Sequence, residues 1–386
     1  MFARFLQGNL PHESCFLFGP RQVGKTTLLR GLKSVFYADL LDPDEQLAYS
    51  KNPNLLREQL EAVPQGGTVI IDEIQRVPKL LDVVQSIMDR SDAFRFVMSG
   101  SSARKLRHGH ANLLGGRAQV CAMHPLTIFE LAESFRLDKV LAYGSLPPVC
   151  SKLTAGKENL ARSTLRSYVT TYIREEIKAE ALVRNLQGFQ NFVDVAAAQF
   201  AQQVNMSLVG RECRVAYATV REYYAILEDT LMGFFLKPFA RSERKRMSLA
   251  PKFYFFDNGV TRALLGTLRD PPGPLERGRL FEQWFIQEVR RLNEYREKDF
   301  ILSFWRTSHG AEVDLLVERA GRILCAVECK HGSSVSAADL SGLRSFLADH
   351  PDVPGFVAAP VRARRKIGDV IVEPPKDVLS FLEDLA

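Results

Sequence analysis

Two clusters of residues have the types and spacing for phosphate chemistry, one near each end of the chain. The first is GPRQVGKTT, spaced G-x-x-x-x-G-K-[ST], between the apolar run CFLF and a helical stretch with Leu28, Leu29 and Leu32. Its glycines, Gly19 and Gly24, free the backbone from Gly19 through Pro20, Arg21, Gln22 and Val23 to wrap phosphate oxygens at the start of a helix. Lys25 then reaches the β and γ phosphates, and Thr26, followed by Thr27, offers a hydroxyl to magnesium. A glycine-rich turn that merely caps a helix is the competing reading. Downstream, GTVIIDEIQ reads as a buried strand ending in Asp72 and Glu73. Asp72 is placed to hold magnesium through water and Glu73 to polarise the water that attacks the γ phosphate. The strand FRFVMSGSS ends in small polar residues, of which Ser99 or Ser101 is placed to sense that phosphate.

The second cluster is EVDLLVERAGRILCAVECK, Glu312 to Lys330. Two apolar runs flank a turn at Arg319 to Arg322, and strand alternation puts Leu324, Ala326, Glu328 and Lys330 on the face opposite Ile323, Cys325, Val327 and Cys329. Asp314 enters from the other strand. Two neighbouring carboxylates repel unless a cation lies between them, so Asp314 and Glu328 are the expected ligands of a magnesium ion. The competing reading is a satisfied ion pair in a fold that has lost its chemistry. Arg306 and His309, in the preceding loop, are candidates for phosphate contact.

The elements that must position these residues fit a chain of 386 residues with 46% hydrophobic and 25% charged residues, enough for more than one core. A net charge of +6 favours a polyanionic partner, and basic residues gather at Arg104–His108, Arg241–Arg246 and Arg362–Lys366. Six scattered cysteines without a CxxC pair indicate neither zinc nor a disulfide framework. The N-terminus has no apolar signal region and no apolar run approaches a membrane span, so a cytoplasmic protein without membrane contact is expected. In the middle, NMSLVGRECRVAYATVREYYAILEDTLMGFFLKPF reads as a helix, a turn and a longer helix with Val220, Tyr224, Leu227 and Leu231 inward. A hairpin bending at Gly233 would complete a winged helix, with Tyr217, Thr219 and Arg221 offered to a DNA groove. Glu222, Glu228 and Asp229 on the same helix oppose that role, and a purely structural module is the alternative.

A strand between the phosphate loop and the Asp72–Glu73 strand resembles the AAA+ branch of P-loop ATPases. That resemblance implies that Arg117, in GGRA, reaches the nucleotide of a neighbouring subunit in a homo-oligomer. The D…ExK pattern of Asp314, Glu328 and Lys330 resembles the PD-(D/E)xK nuclease superfamily. There the two acids bind magnesium and the lysine orients or activates water, and a preceding helix brings another acid. Here GRLFEQWFIQEVRRLN, with Phe281, Phe285, Val289 and Leu292 as its buried stripe, offers Glu282. The whole chain resembles a prokaryotic family of ATP-binding proteins with a AAA domain and a conserved C-terminal domain of unknown function. It departs from that family in having Gly144-Ser145-Leu146-Pro147-Pro148 where relatives show Gly-Gly-aromatic-Pro-Glu, and Arg174-Glu175-Glu176 where they show Arg-Asp.

The expected architecture is therefore α/β in three parts. An AAA+ P-loop NTPase domain spans 1–150, a helical winged-helix middle 151–248, and an α/β restriction-endonuclease-like domain 249–386. The expected function is an ATP-binding and ATP-hydrolysing protein acting on nucleic acid, in particular DNA, with a Mg2+-dependent nuclease-like end. The alternative is an ATP-driven regulatory or defence switch whose nuclease-like domain is an inactive binding module.

Overall fold

A computed structural model describes residues 2–101, 114–173, 185–239 and 249–385. It divides into two compact units, Met1–Leu126 with Ile226–Met232, and Thr127–Ala225 with Gly233–Ala386. This division breaks at residue 126, where the expectation put a boundary at 150. The basic runs Arg104–His108 and Arg241–Arg246, and the segment Arg174–Glu176, lie outside the described residues.

The first unit is a parallel sheet of β1 (Cys15–Phe18), β2 (Phe36–Asp39), β3 (Gly67–Asp72), β4 (Phe94–Gly100) and β5 (Gln119–Ala122) in the order β2-β3-β4-β1-β5. Parallel strands covered on both faces read as unbroken apolar runs, which is why CFLF and VIID carry no alternation. Phe16, Val69, Ile71, Phe96 and Met98 form the middle of its core. The chain leaves β1 for the far edge and returns through β3 and β4. The C-terminal ends of β1, β3 and β4 thus meet on one edge, with Ser99 registered against Leu17 and Gly100 against Phe18. In such sheets the crevice at those ends is where ligands bind.

The second unit begins with small helices, among them α1 (Leu137–Tyr143), followed by α2 (Leu186–Ala198), α3 (Met206–Cys213) and α4 (Tyr217–Asp229). Asn205 caps α3, and Arg214 ends it in the left-handed conformation that turns the chain into α4. This is the expected helix-turn-helix, with Val220, Tyr224 and Leu227 buried and Leu231 partly so. Its wing is not free. Strands β6 (Gly233–Pro238) and β7 (Lys252–Phe255) pair with each other, and β6 also pairs in parallel with β8 (Ile301–Arg306). They form the end of a mixed sheet with β9 (Glu312–Arg319), β10 (Arg322–Cys329), β11 (Gly355–Ala358), β12 (Arg365–Ile367) and β13 (Val370–Glu373). The order is β12-β13-β11-β10-β9-β8-β6-β7. Gly233 opens β6, opposite Phe255, instead of bending a hairpin. The expected domain boundary at 248/249 falls inside this strand pair. The physical reason is apolar area: Phe234, Leu236, Phe253 and Phe255 are buried, and a lone hairpin cannot bury them.

Two further helices, α5 (Asn258–Leu264) and α6 (Pro274–Tyr295), follow β7. Between them and the start of the unit lies a buried polar joint. The Asp257 carboxylate accepts from Val260 N (3.1 Å), capping α5, and from Ser145 N (2.7 Å). Arg291, on α6, donates to Ser145 Oγ (3.3 Å), Glu288 (2.9 Å) and the Phe256 carbonyl (3.1 Å). Gly144 has φ 70° and ψ −163°, and a Cβ there would lie 1.9 Å from Asp257 Oδ1. The YFFDNG and GSLPP segments are therefore the two halves of a structural anchor.

Candidate functional site

The phosphate loop joins β1 to the helix Lys25–Arg30 through Gln22 and Gly24, both at positive φ (64° and 101°). The Lys25 side chain is buried and its ammonium donates to the carbonyls of Gly19 (2.7 Å) and Pro20 (3.1 Å). It thus curls over the hollow of its own loop, where phosphate oxygens would replace those carbonyls. A Cβ on Gly19 would lie 2.3 Å from the Met123 carbonyl, so only glycine fits beneath the loop. Arg4 holds the loop from outside, donating to the carbonyls of Val23 and His124 (2.7 Å to the latter). Nothing in the sequence around Arg4 signals this.

Asp72 is fully buried at the end of β3. Its two oxygens accept from Ser99 Oγ and from Tyr37 Oη (2.9 Å), which leaves it oriented toward the loop edge of the sheet. The Ser99 hydroxyl also accepts from Glu73 N (2.9 Å). Glu73 sits at φ 63° and ψ 46°, a conformation costly for a residue with a Cβ and typical of functional turns. Its carboxylate accepts from Gln75 Nε2. Ser99 therefore positions both acids through one hydroxyl, a role more specific than the phosphate sensing expected of it or of Ser101. Asp72 with Glu73, and Ser99, stand at the ends of the adjacent strands β3 and β4, and Lys25 opens the helix that follows β1 and its loop. Thr26 and Asp72 are the residues that fit a magnesium ion beside a nucleotide.

Arg117 lies two residues before β5, whose first residue, Gln119, is registered against Cys15 at the start of β1. The loop leaves the other end of β1. Arg117 is thus at the opposite edge of the sheet from its own phosphate loop, and pairs with Asp89 (2.8 Å) with both side chains nearly half exposed.

In the second unit, the sheet brings together Glu282 of α6, Glu312 and Asp314 of β9, and Glu328 and Lys330 at the end of β10. A residue that sequence reasoning missed lies among them: Lys252, the first residue of β7. Its buried ammonium is 2.7 Å from Glu282, 2.5 Å from Glu312 and 3.9 Å from Asp314. Tyr254 donates to the same Glu282 oxygen (2.6 Å), and Arg306 pairs with Glu312 (2.8 Å). Glu312 stood in the quoted stretch without being singled out. The only signal for Lys252 was a lysine opening a wholly apolar strand. His309 is exposed, beside Ser308.

Asp314 accepts from Cys329 N (2.8 Å), and Glu328 Oε1 accepts from Lys330 (2.9 Å). Glu328 Oε2 is buried with no partner among the described residues. Burial, then the neighbouring Glu328 and Glu282 charges, pushes the Asp314 carboxyl well above its ordinary value despite Lys252. Burial likewise raises Glu328, against the pull of Lys330. For Lys252, burial alone would lower the pKa, but Glu282, Asp314 and Glu312 outweigh it and hold the ammonium charged. Among the described residues no three His, Cys, Asp or Glu side chains gather closely enough to hold a metal ion. Asp314 and the unpartnered oxygen of Glu328 are the residues that would hold a cation here. A register shift between Ile323 and Cys325 breaks the simple alternation of β10, so Ile323 packs into the same apolar cluster as Ala326.

Comparison with known proteins assigns the chain in three successive stretches. Residues 11–132 match an AAA domain, 134–270 a domain of unknown function (DUF8612) and 277–376 a domain of unknown function (DUF4143). This is the arrangement of an AAA-type protein with a C-terminal domain of unknown function. The uncharacterized proteins Mb2031c of Mycobacterium bovis and Rv2008c of Mycobacterium tuberculosis are each 28% identical over 366 residues, 94% of this chain and 79% of theirs. Among solved structures, the Aeropyrum pernix ORC1 protein in complex with DNA aligns at 14% identity and TM-score 0.32, covering 69% of this chain and 89% of that one. The ADP form of Aeropyrum pernix ORC2 aligns at 12% and 0.31, covering 67% and 87%. Likeness at that level carries no functional argument.

Proposed function

We propose that this AAA-type chain hydrolyses ATP and acts on nucleic acid, with DNA as the partner, while its C-terminal core takes one divalent ion on Asp314 and Glu328. The observation that carries the ATPase reading is the Ser99 hydroxyl, which ties Asp72 and the Glu73 backbone into one array beside the Lys25 loop. Lys25 exchanges its two backbone carbonyls for β and γ phosphate oxygens. Thr26 and Asp72 would hold a magnesium ion, which would supply neutralisation of phosphate charge. Glu73, fixed by its backbone bond to Ser99, accepts the proton of the attacking water. Arg117 points away from its own nucleotide, which supports its use by a neighbouring subunit.

Support for nucleic acid is electrostatic. Arg211, Arg214, Tyr217 and Arg221 are exposed on the helix-turn-helix, although Glu222 stands beside them. Arg362 to Lys366 are exposed where the chain enters the edge strand β12. The test is phosphate release with and without duplex DNA across roughly 50 to 200 mM salt, where counterion release should erase the stimulation as salt rises. Hydrolysis indifferent to DNA at every salt concentration would remove the nucleic-acid half of the reading. Strand cleavage, if present, should vanish in Lys330→Ala.

The second reading is an ATP-driven switch whose C-terminal core binds a partner without cutting. Lys252 favours it, because an ammonium already neutralises much of the acidic cluster. Nucleotide-dependent change of assembly state with no cleavage under any condition would select it.

A further inference from the structure

The acidic cluster of the C-terminal core was expected to be neutralised by metal. Instead its deepest cation is a lysine of the protein. Lys252 is not a mobile side chain that happens to fold inward: its backbone pairs with Leu236 of β6 and bridges to Gln203 on the other side. Its ammonium lies against the Phe304 ring, 5.3 Å from the centroid, where water is largely excluded. Glu282 is held by it, receiving Lys252 and the Tyr254 hydroxyl on one oxygen.

We propose that Lys252 is the resident cation of this cluster, standing where Glu282 and Glu312 would otherwise draw in a divalent ion. It confines metal to the single place left between Asp314 and the free oxygen of Glu328. Glu282 is then an anchor for the lysine and not a metal ligand. Lys252 is a positioning residue: it sets how many ions the core takes and how tightly, without touching the reacting atoms. A cluster of carboxylates stripped of this buried ammonium must find another cation, because uncompensated buried charge is strongly destabilising.

This inference rests in part on the reading that Asp314 and Glu328 accept a metal, so the experiment separates the two. Mn2+ binding to the full-length, nucleotide-free protein is followed by electron paramagnetic resonance, with thermal melting measured in parallel. In the parent, Asp314→Asn should abolish the bound Mn2+ and Glu282→Gln should leave its affinity unchanged. Lys252→Met should tighten Mn2+ binding by at least about tenfold, the scale on which neighbours of a metal site act. It should also make the melting temperature depend on Mn2+, and adding Glu282→Gln should reverse the gain. Lys252→Arg should behave as the parent does. Loss of parental Mn2+ affinity in Glu282→Gln would overturn the inference, and that arm decides the matter alone if Lys252→Met does not fold. If the parent binds no Mn2+, the metal part of the proposed function fails. The lysine's role is then judged by whether Lys252→Met acquires a Glu282-dependent site, and no acquisition would overturn it.

Discussion

Ser99 carries one hydroxyl proton, donated to Asp72, while its oxygen receives the Glu73 amide. Replacing it with alanine removes both constraints but no phosphate ligand. Ser99→Ala should therefore lower ATP turnover by about 10- to 100-fold with nucleotide affinity kept, as expected for a residue that orients others, and Ser99→Thr should restore it. A loss of affinity equal to the loss of turnover would instead place Ser99 on the nucleotide. Glu73→Gln should retain bound ATP and slow hydrolysis by at least about 100-fold, read by single-turnover phosphate release. Lys25→Ala should lose the nucleotide itself. These three variants separate positioning, chemistry and binding among residues at the ends of β3 and β4 and at the start of the helix Lys25–Arg30.

At the scale of elements, the joint between the Gly144 turn and the cap of α5 is where one atom matters most. Gly144 occupies a region open essentially to glycine alone, and an added methyl meets the Asp257 carboxylate. Gly144→Ala should cost at least about 2 kcal/mol in urea unfolding, with phosphate-loop residues unaffected. The long helix α6 adds a pH dependence. Burial pushes the Glu288 carboxyl up to about 7, against Arg291 and the Ile128 amide, which pull it down. A carboxyl whose folded pKa is raised holds a proton that the unfolded chain has released. Its contribution therefore favours the fold at low pH and is lost as pH rises from the ordinary carboxylate range toward about 7. Asp257 and Asp314 are raised in the same direction. Glu288→Gln should flatten the fall of melting temperature between those limits. Arg291 should keep its bonds to Ser145, Gln287 and the Phe256 carbonyl in that variant. An unchanged slope would assign the pH dependence to other groups.

At the scale of the whole molecule, the register of β1 and β5 places Arg117 at the opposite edge of the sheet from its own phosphate loop. Its pair with Asp89 is exposed, and surface pairs of this kind hold a side chain only weakly. If neighbouring subunits share the site, Arg117→Ala and Lys25→Ala should each be inactive alone. Mixed together they should regain part of the parental ATP turnover, because one variant supplies the loop and the other the arginine. No recovery across a range of mixing ratios, with a monomer in the presence of ATP, would sink the shared-site idea.

What the amino-acid sequence determined by itself is the chemistry whose partners are close along the chain. The phosphate loop, the Asp72–Glu73 strand end and the buried parallel strands were legible because local geometry, glycine placement and unbroken apolar runs all pointed one way. The helix-turn-helix and the stripe of α6 were legible from helical period. Tertiary structure alone decided the rest. Lys252 is separated by sixty residues or more from Glu312 and Asp314, and only the joining of β6 to β8 carries β7 into the C-terminal sheet. Arg4, Tyr37 and Arg291 act through long-range hydrogen bonds that no periodicity records. The intended wing became a sheet edge because its apolar faces needed more cover than a hairpin has. Local pattern specifies which surfaces must be buried; which distant charge ends up beside them depends on how the strands are ordered in space.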